Sequence, residues 1–237
     1  MRTEHDQPTV PHRRARELRG IYERLFTAFG PRHWWPASSP MEVVVGAILA
    51  QNTAWGNAER AIGELKRARI LSWRRLGAIS EEELAELIRS AGTYRVKAGR
   101  LKAFVEVLFD DHDGQLQRML DGDLDGARRR LLAIRGIGPE TADAILLYAG
   151  GRASFVVDAY TRRILRRHSL LPGAGDGGAK SDTYESVRRM FQQAIPPDER
   201  VYNEYHALLV ELGKRHCRTR AACTGCPLAD LPHDESL

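Results

Sequence analysis

The stretch that most constrains this chain is residues 131–169, in which two glycines flank one apolar residue between two helical patterns. Gly136 and Gly138 enclose Ile137, and Pro139 follows at a position that suits the first residue of a helix. Glycine tolerates positive φ and lets another molecule approach the backbone closely. The pattern therefore predicts two helices joined by a tight hairpin. The N–H groups at the start of the second helix would form a site for a phosphate group.

A lone carboxylate after an apolar run lies about 20 residues beyond this hairpin. The apolar residues Val156 and Val157 precede Asp158, and a segment with helical spacing follows it. Aspartate is favoured at the residue that caps a helix N-terminus, so we expect Asp158 to cap this helix. The apolar residues before Asp158 would also limit water around its carboxylate, which makes Asp158 a candidate catalytic residue. The two roles are compatible.

These residues resemble the helix-hairpin-helix DNA glycosylase superfamily, whose best-known member is endonuclease III. The family hairpin reads L-x-G-(I/V)-G-x-x-T-A, and Ile134 to Ala142 correspond to it. The family's catalytic aspartate lies in a Val-Asp pair, which here is Val157 and Asp158, and the resemblance extends from about residue 18 to residue 231. It implies that the hairpin holds the DNA backbone without reading its sequence. The implied DNA contacts in this segment are Gly136, Ile137, Gly138 and Thr141.

Helical periodicity along the chain, with no clear alternation of period two, predicts an all-α fold. Ser39 with Glu42 and Ser80 with Glu83 each have the spacing of a helix capping box. The helix that Ser39 opens is apolar nearly all round, so we expect it to be the most buried helix of its domain.

The resemblance implies two helical domains with a DNA cleft between them. One is a helical barrel of residues 33–152 that contains the helix-hairpin-helix motif. The other is discontinuous, is formed by residues 1–32 and 153–237, and carries a C-terminal cysteine loop.

Gln51 and Asn52 follow the apolar helix and should emerge at a surface. The family has a Gln-(Asn/Ala)-Thr sequence here, and its glutamine wedges into the duplex in place of the flipped nucleotide. The resemblance therefore adds Gln51 and Asn52 to the DNA-binding residues. The alternative is a simple polar pair at the end of a helix.

Three tryptophans indicate the substrate. Trp34 and Trp35 lie in a Trp-Trp-Pro loop, and Trp55 comes just after the Gln-Asn-Thr sequence. This arrangement resembles the 3-methyladenine DNA glycosylases of the superfamily, in which such aromatics line the base pocket. A flipped base is held by stacking, and a base made cationic by alkylation gains further from an aromatic face. The implied base pocket is Trp34, Trp35, Trp55 and Glu140, with core packing of the tryptophans as the alternative.

Removal of a base proceeds through an oxocarbenium-like transition state, which the Asp158 carboxylate would stabilise. Family members that also cut the strand carry a lysine where this chain has Glu140, and no lysine lies between Lys102 and Lys180. The sequence therefore predicts a monofunctional glycosylase for alkylated purines. The alternatives are a glycosylase for oxidised pyrimidines or mismatched bases, and a DNA-binding relative without catalysis.

Cys217, Cys223 and Cys226 have the spacing C-x5-C-x2-C, which suggests a metal site more than disulfides. The superfamily binds a [4Fe-4S] cluster through four cysteines at similar spacing. The fourth position here is Pro232, and His233 beside it could be a ligand. A cluster with an incomplete cysteine set, zinc held by three cysteines and His233, and free thiols without metal all remain open. The 3-methyladenine glycosylase with the best-matching motifs lacks this loop, which leaves the base preference open as well.

Composition is consistent with a DNA-binding protein. The chain has 36 Lys and Arg against 31 Asp and Glu, a formal net charge of +5 that permits nucleic acid as a partner. It has no apolar run long enough to span a membrane, and its N-terminus has no apolar signal region. We expect an intracellular, nucleoid-associated protein of the cytoplasm. It should act as a monomer on double-stranded DNA that contains a damaged base.

Overall fold

The structure is a computed structural model that describes residues 12–173 and 182–236. These ranges contain α-helices, a 3₁₀ turn, Arg89–Ala91, and a π-helical segment, Ile145–Ala149, with no strand among the residues described. The predicted all-α fold is confirmed. None of the described helices is both long and apolar enough to cross a membrane. The helices are α1 His12–Phe29, α2 Pro40–Leu49, α3 Trp55–Arg67, α4 Trp73–Ala78, α5 Glu81–Leu87, α6 Tyr94–Asp110, α7 Leu116–Leu120, α8 Leu124–Ala133, α9 Pro139–Ala144, α10 Ala159–Arg167, α11 Tyr184–Ala194 and α12 Glu199–Arg215.

The chain divides into two compact units. The continuous unit is Trp35–Ser154, and the discontinuous unit combines Met1–Trp34 with Phe155–Leu237.

The core of the continuous unit is built around α2. Every residue of this helix from Glu42 to Leu49 is buried, as its all-round apolar sequence predicts. The helix packs against α3, α6 and the π-helical segment. This burial fixes the position of the turn that follows α2, where Gln51 lies.

The capping box predicted at Ser39 is only half formed. The Ser39 hydroxyl accepts from the Glu42 N–H at 3.2 Å, as expected for a cap. The Glu42 carboxylate turns elsewhere, because it accepts from the N–H and hydroxyl of Ser38 at 3.2 and 2.5 Å and from Lys66 at 2.7 Å. The second predicted box is confirmed, since Ser80 and Glu83 form both reciprocal hydrogen bonds.

In the discontinuous unit, α1 packs against α11 and α12, and α10 packs against α12. Aromatic rings fill the space between them: Phe155 stacks on Phe191 at 4.0 Å between ring centroids, and Tyr205 meets both rings edge-on. The buried Tyr205 hydroxyl donates to the carbonyl of Leu18 in α1 at 2.7 Å. These contacts hold the apolar residues that lead directly to Asp158.

Candidate functional site

The hairpin between α8 and α9 has the predicted form. Gly136 adopts a φ of +88°, in the left-handed region that favours glycine. A Cβ atom at this position would overlap the side chain of Arg100, with its Cδ and Nε only 2.8 and 2.9 Å away. Ile137 is buried and anchors the hairpin to the core. Both backbone conformation and packing therefore require glycine at position 136.

The structure places no such requirement on Gly138. Its φ of −91° is open to any residue, and a Cβ atom there would meet no protein atom within 4 Å. It immediately precedes Pro139, the first residue of α9. Nothing within the described protein demands glycine at position 138, so the open space beside it is available to a partner.

The turn after α2 is tied to this hairpin through Gln51. The Gln51 amide nitrogen donates to the carbonyl of Gly136 at 3.1 Å and to the hydroxyl of Thr141 at 2.8 Å. Its amide oxygen accepts from Arg100. Asn52, the next residue, is exposed, and its backbone is in the left-handed region with a φ of +52°. Three residues predicted to bind DNA thus form one connected group.

Two cations of α6 were not predicted from the sequence: Arg100, which donates to Gln51, and Lys97, which lies one turn earlier in the helix. Besides Arg100, the buried Lys97 donates to the carbonyls of Leu49 and Ala91 at 2.9 and 2.6 Å. Burial, reinforced by nearby Arg100, lowers the pKa of Lys97. A lysine within the apolar stripe of α6 was the available signal for Lys97. Arg100 offered no signal, because arginine is common along the chain.

Three aromatic rings meet beside α2 in the continuous unit. Trp35 lies edge-on to Trp55 with 5.0 Å between ring centroids, and Tyr148 lies 5.0 Å from Trp35. The rings of Trp35 and Trp55 approach the helix at Gly46, where a Cβ atom would lie 3.5 and 3.3 Å from them. Tyr148, in the π-helical segment, was not among the predicted residues.

The other two predicted pocket residues are Trp34 and Glu140. Trp34 belongs to the discontinuous unit, where the ammonium of Lys214 sits 5.3 Å from the centre of its ring. Glu140 lies exposed in the first turn of α9, beside the hairpin.

Asp158 caps α10, as predicted. Its Oδ1 accepts from the N–H of Thr161 at 2.7 Å. Its Oδ2 lies 3.8 Å from Nε2 of His206, a residue of α12 that sequence reasoning missed. This separation exceeds a direct hydrogen bond and is compatible with a bridging water. One carboxylate oxygen thus holds the helix while the other faces a buried imidazole.

His206 is buried, and burial lowers its pKa, although the Asp158 carboxylate acts in the opposite direction. Burial therefore disfavours the charged imidazolium form that would neutralise the Asp158 carboxylate. The side chain of Asp158 is itself only 13% exposed, which keeps that charge in a region of low polarity where it acts strongly on a neighbouring cation. The arrangement suits stabilisation of a developing positive charge.

The C-terminal cysteine loop does not fit a cluster held by four thiolates. The full sequence has three cysteines, and the fourth position is Pro232, whose carbonyl lies 3.1 Å from Nδ1 of His168. Cys217 is buried and accepts from Arg167 through its sulfur at 3.1 Å.

Comparison with known proteins defines the class. Residues 45–197 match the family described as HhH-GPD superfamily base excision DNA repair protein. The chain belongs to this superfamily, and it is a DNA glycosylase by membership. The resemblance drawn from the hairpin and the Val-Asp pair is thereby confirmed.

Individual relatives agree with this membership. A protein of Methanocaldococcus jannaschii, named provisionally as a DNA repair glycosylase, is 43% identical over 213 residues, which are 89% of this chain and 93% of that protein. A non-covalent endonuclease III–DNA complex has the same fold, with a TM-score of 0.77 at 22% identity over 94% of this chain and 96% of that one. The H. pylori 3-methyladenine DNA glycosylase bound to 1,N6-ethenoadenine has a TM-score of 0.68 at 25% identity, covering 86% and 97% of the two chains.

Proposed function

We propose that this protein is a monofunctional DNA glycosylase that hydrolyses the N-glycosidic bond of alkylated purines in duplex DNA. Asp158 is the catalytic residue. The observation that carries the proposal is that the two oxygens of this carboxylate have different neighbours. Oδ1 caps α10, and Oδ2 faces the buried His206 at 3.8 Å.

The reaction needs little more than this carboxylate. The bond between C1′ and the purine nitrogen breaks, and its electron pair leaves with the base. A purine alkylated at N3 or N7 is cationic in DNA, so it departs neutral without a proton donor. The sugar becomes oxocarbenium-like, and the negative charge of Asp158 stabilises it. A water then forms the new bond to C1′ and gives up its proton to the carboxylate.

The aromatic group of the continuous unit supports a cationic substrate. Trp35, Trp55 and Tyr148 offer electron-rich faces, on which an alkylated purine is held more strongly than a neutral base. The likeness to a 3-methyladenine DNA glycosylase points to the same substrate class. Trp34 and Glu140 are proposed to complete the contacts with the base.

The lysines support hydrolysis without strand cleavage. An imine requires an amine that can reach the sugar. Lys97 and Lys102 donate to main-chain carbonyls, and Lys66 is paired with Glu42 at 2.7 Å. Lys214 lies over the ring of Trp34, and Lys180 lies outside the described residues.

We expect the enzyme to release alkylated purines as free bases and to leave the abasic strand intact. The measurement is mass-spectrometric detection of bases from duplexes that carry 3-methyladenine, 7-methylguanine or ethenoadenine. Strand integrity is followed on denaturing gels before and after alkali, and borohydride should trap no protein–DNA adduct.

The mechanism, the substrate class and the catalytic activity can each be refuted by a separate result. A borohydride-trapped adduct would establish an imine and refute the monofunctional mechanism. Release of thymine glycol, 8-oxoguanine or a mismatched thymine, in place of alkylated purines, would move the substrate to another class. Tight binding to abasic DNA without release of any of these bases would favour a DNA-binding relative.

The hairpin and the Gln51 turn are proposed to form one DNA-binding surface. Gly136, Ile137, Gly138 and Thr141 would meet the phosphates, and Gln51 with Asn52 would enter the gap left by the flipped nucleotide. The hydrogen bonds of Gln51 to Gly136 and Thr141 support this joint role, because they place the proposed wedge against the hairpin.

Replacing Gly138 with leucine is expected to weaken binding to undamaged and damaged duplex alike. The new side chain meets no protein atom within 4 Å of its Cβ, so it would project into the space proposed for the phosphate. Loss of phosphate contacts should make the slope of log affinity against log salt shallower by about 1–2. Fluorescence anisotropy between low and moderate salt provides the measurement.

Gly63→Leu is the matched control, because Gly63 lies in α3 and its Cβ would also meet nothing within 4 Å. This variant should keep both affinity and salt slope. If Gly138→Leu behaves like Gly63→Leu, the hairpin does not contact the phosphates.

A further inference from the structure

The loop after α12 is fastened to α10 by hydrogen bonds from arginine. Arg163 donates to the carbonyl of Cys217 at 2.7 Å. The buried Arg167 donates to the carbonyls of Arg218 and Thr219 at 2.7 and 2.9 Å and to the sulfur of Cys217 at 3.1 Å. The loop is therefore anchored at this end by the protein alone, and Cys217 is engaged by a guanidinium.

Further along the loop, three different ligand types converge. The sulfur of Cys223, a ring nitrogen of His233 and a carboxylate oxygen of Glu235 all lie within 4.8 Å of one another. Tetrahedral zinc, with bond lengths of about 2.0–2.3 Å, places its ligands about 3.3–3.8 Å apart. Small side-chain rotations would therefore bring these atoms to the spacing of a metal site.

The histidine is already oriented as a ligand would be. Nδ1 of His233 lies 2.7 Å from the carbonyl of Leu231, so that nitrogen carries the proton. Nε2 then points away from the backbone, and it lies 3.4 Å from Glu235. Metal-binding histidines typically donate their second ring N–H to a carbonyl in this way.

The turn that contains Cys223 also carries Cys226, which is the candidate for a fourth ligand. The N–H of Cys226 donates to the carbonyl of Cys223 at 3.0 Å, and Gly225 between them has a φ of +71°. This tight C-x2-C turn keeps the second thiol close to the first, as in many zinc sites.

We propose that this loop binds a single zinc-type divalent ion through Cys223, Cys226, His233 and Glu235, with Cys217 outside the coordination sphere. The mixed set of two sulfurs, one nitrogen and one oxygen suits one tetrahedral ion, whereas a [4Fe-4S] cluster calls for four thiolates. Binding displaces the protons of the two thiols, so uptake of metal should release acid. The site is independent of the proposed glycosylase activity.

Metal analysis of the full-length protein, purified anaerobically without chelator, should give one zinc per chain and neither iron nor sulfide. After removal of the zinc, titration with Co²⁺ should saturate at one equivalent. Sulfur-to-cobalt charge transfer and the intense visible bands of a tetrahedral site should appear together. These readouts do not involve DNA or activity.

Substitutions then assign the ligands. Cys223→Ser and His233→Ala should abolish the tetrahedral cobalt spectrum, and Glu235→Gln should weaken Co²⁺ binding. Cys217→Ser should keep one equivalent and an unchanged spectrum, because Arg167 holds that sulfur. Glu199→Gln, which changes a half-buried carboxylate at the start of α12, is the control for the loss of charge.

Several results would overturn the site. Iron and sulfide in place of zinc would mean that the loop holds a cluster, and loss of metal in Cys217→Ser would point the same way. Protein that contains no zinc and takes up no Co²⁺ has no metal site here. A full cobalt spectrum in His233→Ala would refute the mixed ligand set.

Discussion

Asp158→Asn is expected to lower the rate of base release by about 10²–10³ while leaving duplex affinity unchanged. Asparagine has nearly the same shape and is an equally good helix cap, so the hydrogen bond from Thr161 should survive. What is lost is the negative charge that stabilises the oxocarbenium-like sugar. Single-turnover release with enzyme in excess measures the chemical step directly, and anisotropy on an uncleaved duplex measures binding.

Asp198→Asn is the matched control for this experiment. Asp198 caps α12 in the same unit and accepts from the N–H groups of Arg200 and Val201 at 2.8 and 3.1 Å. The same chemical change at another helix cap should leave base release intact. Full activity in Asp158→Asn would remove Asp158 from the mechanism, and an equal loss in both variants would mean that the effect is structural.

Local patterns in the sequence predicted the parts of the site that depend on neighbouring residues. Gly136 and the cap at Asp158 follow from backbone requirements that extend over a few positions. The all-α fold follows from the spacing of apolar residues. In contrast, α4, Trp73–Ala78, was not predicted, because its sequence shows no sustained repeat of apolar residues at helical spacing.

The partners of these residues could not be predicted, because they lie far away along the chain. Gln51 contacts Gly136 across 85 residues, and Arg100 reaches Gln51 across 49. His206 faces Asp158 from another helix, and no spacing rule connects the two. The capping box at Ser39 shows the same effect on a smaller scale: Lys66 and Ser38 compete for the Glu42 carboxylate, and a local rule ignores such competitors.

Asp143→Ala is expected to destabilise the protein by about 3–5 kcal/mol, the largest stability effect we anticipate. The Asp143 side chain is completely buried in α9 and accepts from Arg128 through both oxygens, at 2.9 and 3.1 Å. The hydroxyl of Ser154 donates to the same carboxylate at 2.5 Å. Truncation would remove the carboxylate that pairs with the guanidinium of Arg128, whose side chain is only 11% exposed. Urea unfolding followed by circular dichroism measures the loss.

The double variant Arg128→Met/Asp143→Leu distinguishes the net contribution of the ion pair to stability from the destabilisation caused by removing one partner alone. It removes both charges and fills a similar volume, so it should be less destabilised than Asp143→Ala alone. Arg13→Ala, which breaks the more exposed pair with Glu17, should cost no more than about 1 kcal/mol. If the double variant were as unstable as the sum of its single changes, the two charges would not be coupled. The loss in Asp143→Ala would then come from the cavity and from the hydrogen bond to Ser154.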